Sequence, residues 1–283
     1  METKKYSFRG VVISLLKSLG YIATWFVVTQ LASLLVQVLL MARYRGSSAE
    51  AIMSIYNQNT TQVLLIANSL TLVVFMVFYK IRKTTLSTRC EIVSKPFGAY
   101  TRGILLGIFG QFAIQYLLSA LLSAKLLPTE WLGALEENNE ALVTAPVAIN
   151  LITTVLIGPI FEEVLCRGLM LGALKKAMPA WVAVGVSSLA FGILHANPIG
   201  IIYATLFGIL LGFITIKFNS IVPSILCHIA FNFTSFILSE NGGELGIFGI
   251  LLLNASIPLT VFLIIKTAKY KEPVYHSDDE EKE

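Results

Sequence analysis

Charge is scarce in this sequence. Only 13% of its 283 residues are charged, against about 25% in a typical soluble domain. Apolar residues make up 55%, and the mean hydropathy is +0.76. Both aspartates of the chain lie in the segment 271–283, so the rest is more apolar than the average indicates. This composition excludes a soluble enzyme or nucleic-acid-binding domain and indicates a polytopic membrane protein.

Cysteine is also rare, and the common metal-binding patterns are absent. The three cysteines, Cys90, Cys166 and Cys227, are far apart and form no CxxC pair. Their spacing therefore gives no support to a disulfide framework or a thiolate metal site. The HExxH pattern of many zinc peptidases is missing as well.

Long hydrophobic runs dominate what is present. A membrane-spanning helix needs about 20 mostly apolar residues. We therefore predict an all-α polytopic membrane protein with about eight transmembrane helices and a buried polar active site. The first hydrophobic run is too long for a signal peptide and is expected to be retained. The predicted spans are 18–41, 61–79, 101–124, 147–176, 180–196, 199–217, 220–238 and 245–266.

The basic residues predict an orientation. Placing the N-terminus in the cytoplasm puts 18 of the 21 lysines and arginines on the inner side. Only Arg43, Arg45 and Lys125 then lie outside, as the positive-inside rule requires. We expect a multi-pass protein of a bacterial cell membrane with both termini in the cytoplasm. The net charge of +4 reflects this bias, and no nucleic-acid partner is expected.

The fourth hydrophobic segment contains charges that need an explanation. Glu162, Glu163 and Arg167 lie inside it, although an ionised side chain near the bilayer centre costs at least ~2.5–3.5 kcal/mol. Glu163 and Arg167 are four residues apart, share a helix face and can pair. Glu162 points about 100° away and needs another partner or a water-filled cavity.

Two histidines lie in the following hydrophobic segments. If the chain turns near residues 178–179, Glu162 and His195 lie at the same depth, about 25 Å from the turn. His228 is near the middle of its own segment, and Asn232 is one turn further on the same face. We therefore predict one polar cluster inside the membrane that contains these four side chains.

Structural roles and other functions are alternatives to this interpretation. Isolated intramembrane polar groups can simply hold helices together through hydrogen bonds worth about 0.6 kcal/mol. Ser187 and Ser188 are close-packing positions rather than nucleophiles, because no acid partner supports a serine triad. A transporter could use Glu and His as a proton relay, but it would show repeated halves, and the sequence has no such symmetry.

Three ordered motifs resemble those of one family. EEVLCR (162–167) has the form EExxxR, FGILH (191–195) the form FxxxH, and HIAFN (228–232) the form HxxxN. In these motifs the chain resembles the CAAX-processing and bacteriocin-processing family, also called the abortive-infection family. The resemblance covers about residues 145–240, and no family motif falls in the first three predicted helices or the tail.

The resemblance implies an intramembrane endopeptidase like the type II CAAX prenyl protease. It implies that Glu162 and His195 activate a water molecule, while His228 and Asn232 stabilise the oxyanion. This chemistry is reasonable, because peptide hydrolysis needs a base for the water and donors aimed at the developing oxyanion.

Two further expectations concern the surroundings of these residues. The resemblance implies that Glu163 and Arg167 support the site. A zinc ion held by Glu162, His195 and His228 is an alternative, with a water molecule in the open position. Because HExxH is absent, we expect a metal-free, glutamate-type reaction without a cofactor.

The expected substrate is a peptide or a membrane protein in the lipid bilayer, of the CAAX type or a bacteriocin or leader peptide. The sequence leaves the substrate and the oligomeric state open. The alternative function is a non-catalytic immunity or regulatory binding protein of the same family. We divide the chain into a three-helix membrane region, a CAAX-protease-like catalytic core, a last transmembrane helix and an acidic tail that we expect to be disordered: 1–145, 146–240, 241–270 and 271–283.

Overall fold

The computed structural model describes residues 6–128, 130–131, 146–240 and 246–271, and every regular element in this part of the chain is helical. The predicted tail lies outside the described residues except for Lys271. The helices are α1 Phe8–Arg43, α2 Ala49–Gln58, α3 Thr60–Ile81, α4 Leu86–Arg89, α5 Phe97–Ser123, α6 Val147–Leu174, α7 Ala180–Ile193, α8 Pro198–Phe218, α9 Val222–Glu240 and α10 Ile247–Ala268.

Seven helices in the described part of the chain are long and apolar enough to cross a membrane. They correspond to seven of the eight predicted spans, so the prediction of an all-α polytopic membrane protein is confirmed. The first helix begins ten residues earlier than predicted, at Phe8, where the hydroxyl of Ser7 accepts a hydrogen bond from the amide of Gly10. This N-cap starts the helix before Arg9 and Lys17, so both basic residues lie within it.

The remaining predicted span, 180–196, is shorter in the structure. Helix α7 has 14 residues, or about 21 Å, which is less than the hydrocarbon thickness. It ends early because Asn197 caps the next helix: its Oδ1 accepts from the amide of Gly200 at 2.6 Å, and Pro198 follows at the first helical position. His195 therefore lies in the link between α7 and α8.

Helix α6 forms the centre of the bundle. It contacts α1, α3, α7, α8 and α9, and every residue from Val164 to Leu171 is buried. A helical segment that is buried on all sides is expected only where neighbouring helices surround it. Residues of the surrounding helices complete the core, among them Phe75 of α3, Phe207 of α8 and Cys227 of α9.

Close backbone packing fixes α6 against the segment that follows α4. A β-carbon on Gly168 would lie 2.6 Å from Cβ of Cys90 and closer still to its sulfur. Both residues are buried, Cys90 with 1% of its surface exposed, so neither can move aside cheaply. Glycine at this position is what allows the approach.

We expect Gly168→Ala to destabilise the protein by about 1–3 kcal/mol, because the added methyl group overpacks this contact. Gly185→Ala in α7 is the matched control, since its β-carbon meets nothing within 4 Å. Alanine is the better helix former, so the control should melt at or above the wild-type temperature. Equal melting temperatures for the two variants in detergent would show that Gly168 is not tightly packed.

Candidate active site

The charged residues of α6 form a buried network. Arg167 Nη1 lies 3.2 Å from Glu163 Oε1, and both side chains are fully buried. Arg167 Nη2 also donates to the carbonyl of Gly208 in α8 at 3.2 Å. Its guanidinium carbon lies 4.4 Å from the centre of the Phe191 ring. The predicted pair between Glu163 and Arg167 is thus present, and it is anchored to two further helices.

His228 of α9 lies between the two glutamates. Its Nδ1 is 3.1 Å from Glu163 Oε1, and its Nε2 is 3.5 Å from Glu162 Oε2. Each ring nitrogen of His228 thus faces one of the two carboxylates. The glutamates differ in access: the Glu162 side chain is 30% exposed and that of Glu163 is fully buried.

His195 approaches this cluster from the α7–α8 link. Its Nδ1 lies 2.9 Å from the carbonyl oxygen of Phe191. A carbonyl only accepts, so Nδ1 carries the hydrogen and Nε2 of the neutral ring keeps its lone pair. The Phe191 ring packs edge-on against both imidazoles, with centroids 4.8 Å from His195 and 5.7 Å from His228. One aromatic side chain therefore positions both histidines.

The contacts of Glu162 differ from those that the sequence predicted. The sequence predicted that Glu162 and His195 lie at the same depth in the membrane. In the described residues no hydrogen bond joins these two side chains. His228 is the immediate neighbour of Glu162 instead. The prediction assumed two straight helices. Helix α7 ends at Ile193, so His195 lies in the link after it, where the prediction does not apply.

Asn232 is one turn from His228, and its amide Nδ2 donates to the carbonyl of Thr154 in α6 at 2.7 Å. The helix around Thr154 is π-helical over Leu151–Ile157, and the amide of Gly158 bonds to the carbonyl five residues earlier. The next donor in that pattern would be Pro159, which has no N–H. The Asn232 side chain supplies the missing donor, so this residue joins α9 to α6.

Sequence reasoning assigned no role to Thr154, Phe191 or Phe207. The Phe207 ring lies 5.3 Å from the His228 ring and encloses the site from α8. Pro159 inside a hydrophobic segment was the available signal for Thr154, because it implies a carbonyl without a backbone donor. Nothing in the local sequence distinguishes Phe207 from the other aromatic residues of the helices.

The alternative zinc site can be compared with these contacts. Among the described residues no group of three His, Cys, Asp or Glu side chains is placed to hold a metal ion. Both nitrogens of His228 already face carboxylates, and Nδ1 of His195 faces a carbonyl. In zinc proteins the ligating histidines also direct their second ring nitrogen at a carboxylate or a carbonyl, so these contacts do not decide between the two mechanisms, and the choice of a metal-free reaction stays a prediction.

Comparisons with known proteins bear on the same part of the chain. Residues 144–234 match the family model described as type II CAAX prenyl endopeptidase, Rce1-like. The chain is also 30% identical over 103 residues to a Bacillus subtilis (strain 168) protein named "Putative membrane peptidase YdiL". That alignment covers 36% of this chain and 42% of the relative, so it spans less than half of the relative's length. No solved structure gives a significant match.

These matches confirm the resemblance that the motifs indicated. Through residues 144–234 the chain is similar to the CAAX-processing and bacteriocin-processing family, and over 103 residues it is similar to a protein named as a membrane peptidase. The matched range contains all three motifs and every residue of the cluster. It also contains α6, α7, α8 and most of α9, the helices that carry them.

We expect Asn232→Leu to destabilise the protein by about 1–3 kcal/mol, because the partly buried Thr154 carbonyl loses its donor. Combining it with Pro159→Ala should recover part of the melting temperature, because position 159 then offers a backbone N–H. The control is Pro159→Ala alone, which should not raise the melting temperature by the same amount. If the stability changes of the two single variants simply add up in the double variant, the two positions do not share the Thr154 carbonyl.

Proposed function

We propose that this protein is an intramembrane endopeptidase that hydrolyses a peptide bond with a water molecule activated by Glu162. The observation that carries the proposal is the different environment of the two adjacent glutamates. Glu163 is fully buried between Arg167 and His228, whereas Glu162 is 30% exposed and reaches His228 Nε2. A partly exposed carboxylate beside an imidazole can meet both a water molecule and a substrate, which a fully enclosed one cannot.

The water-activating step uses Glu162 together with His195. Glu162 accepts a proton from the water as its oxygen attacks the peptide carbonyl. His195 Nε2, whose lone pair is left free by the Nδ1 contact with Phe191, accepts the second hydrogen of the water and orients it. The proton taken by Glu162 is then available for the leaving amine.

Oxyanion stabilisation falls to His228. Its Nδ1 faces Glu163, which orients the ring so that Nε2 points toward Glu162. In the proposed reaction Nε2 donates a hydrogen bond to the oxyanion that forms when the water attacks. Asn232 uses one amide hydrogen for Thr154, and its second hydrogen is the further donor for the oxyanion.

The depth of the site suits a membrane-associated substrate. Glu162 lies 12 residues, about 18 Å, from the end of α6 at Leu174. The basic residues at the end of α3 and around α4, among them Arg82 and Arg89, gather at that same end, so we propose that it faces the cytoplasm together with both termini. The substrate is then a peptide segment that enters the bundle from the membrane.

The two glutamates should respond differently to the same substitution. We expect Glu162→Gln to keep the wild-type melting temperature and to lose cleavage by about 10²-fold or more, because the base is removed. Glu163→Gln should lower the melting temperature, because it leaves Arg167 buried with a weakened partner, a change that costs about 3–5 kcal/mol in comparable pairs.

The assay uses the purified protein in detergent with a peptide library that includes farnesylated and unmodified CAAX sequences, analysed by mass spectrometry. New peptide termini that appear with the wild type and not with Glu162→Gln would support the proposal. Cleavage by Glu162→Gln at the wild-type rate would contradict it. Absence of cleavage by the wild type across the library would favour the alternative, a binding protein of the same family.

A further inference from the structure

A cavity lies away from the candidate active site. It has a volume of about 800 Å³ and is enclosed by the first half of α1, the second half of α3, Arg89 at the end of α4 and the residues that end α6. None of the motif residues lines it. Along α6, its nearest lining residue, Ala173, is 11 positions from Glu162, or about 16 Å.

The wall of this cavity is apolar and open to the side. Ile13 of α1 and Val74 and Phe78 of α3 line it, and they are 41%, 41% and 43% exposed. In a bilayer such side chains face lipid, so the cavity opens toward the hydrocarbon region rather than only toward water. An occupant with an apolar portion can therefore enter from the membrane.

Part of the lining of this cavity is strongly basic. Four cationic side chains line it, and no Asp or Glu does: Lys17, Arg82, Arg89 and Lys176. Arg89 lies beside the phenols of Tyr21 and Tyr79, whose hydroxyls are 2.7 Å apart. The nearby carboxylate of Glu91 is occupied by Lys175 at 2.6 Å. In the described part of the chain, Lys17, Arg82 and Lys176 form no ion pair.

The clustered positive charges affect the pKa of one of the four basic residues, Lys176. The charge of Arg89, followed by desolvation and the charge of Lys175, lowers the pKa of Lys176 below its ordinary value. A bound anion would relieve this repulsion, since opposite charge favours the protonated amine. Together with the apolar wall, the cluster fits a molecule that carries an anionic group on one end and hydrocarbon on the other.

We propose that this cavity binds an anionic phospholipid, with the phosphate headgroup among Lys17, Arg82, Arg89 and Lys176 and the acyl chains along α1 and α3. Basic pockets between transmembrane helices on the cytoplasmic side are suited to such headgroups. The lateral opening favours a lipid over a free phosphate, which would need only the basic part of the lining. The site is separate from the peptidase chemistry and does not depend on the proposed function.

The test uses the full-length protein purified in a neutral detergent. Phosphatidylglycerol should raise the melting temperature and remain bound in native mass spectrometry, whereas phosphatidylcholine should do neither. Glycerol phosphate carries the anionic group without acyl chains, so it distinguishes binding of a lipid from binding of a free phosphate group. Stabilisation by glycerol phosphate equal to that by the lipid would overturn the lipid assignment, as would equal binding of the two lipids.

Variants locate the binding. We expect Lys17→Gln with Lys176→Gln to weaken binding of phosphatidylglycerol about tenfold or more, since each basic group near a lipid headgroup contributes to the attraction. The matched control, Lys269→Gln with Lys271→Gln, removes the same charge at the end of α10 and should bind like the wild type. Equal loss in both double variants would mean general charge attraction and would overturn the proposal.

A third variant probes the apolar part and does not change charge. A β-carbon on Gly20, which lines the cavity, meets nothing within 4 Å, so Gly20→Leu should fold and occupy part of the space. We expect it to reduce retention of phosphatidylglycerol and to keep the wild-type melting temperature in detergent alone. Wild-type retention in this variant would show that the lipid does not enter the cavity.

Discussion

The fully buried ion pair between Glu163 and Arg167 is the interaction around which the candidate site is organised. An arginine inside a membrane bundle is costly unless its charge is balanced by a close partner. Glu163 supplies the charge, Gly208 a carbonyl and Phe191 an aromatic face. Because these partners come from α6, α8 and α7, the requirements of one guanidinium hold three helices together, and His228 is held in turn by Glu163.

A second constraint comes from the backbone of α6. Pro159 removes an amide donor three residues before Glu162, in a helix whose preceding turns are already π-helical. The side chain of Asn232 makes up the loss and ties α9 to α6 next to the glutamates. An irregular helix is tolerated in a membrane where neighbouring groups satisfy its backbone. Here the residue that satisfies it belongs to a family motif, so helix packing and the proposed chemistry share one side chain.

Much of this could be predicted from the sequence, for physical reasons. Membrane-spanning helices follow from hydrophobic length, and a pair such as Glu163 and Arg167 follows from helical periodicity. The contact between His228 and Glu162 could not be derived in the same way, because it depends on how α9 packs against α6. The early end of α7 was signalled by Asn197 and Pro198, but the resulting position of His195 depends on the three-dimensional link.

The arrangement of His228 between two carboxylates can be measured directly. In bilayers, ¹⁵N solid-state NMR of histidine-labelled protein reports each ring nitrogen separately. We predict that Glu162→Gln shifts mainly the Nε2 resonance of His228 and that Glu163→Gln shifts mainly Nδ1, because each nitrogen faces one glutamate. Resonances of His228 that do not change in either variant, or that respond in the reverse order, would contradict the proposed organisation of the site.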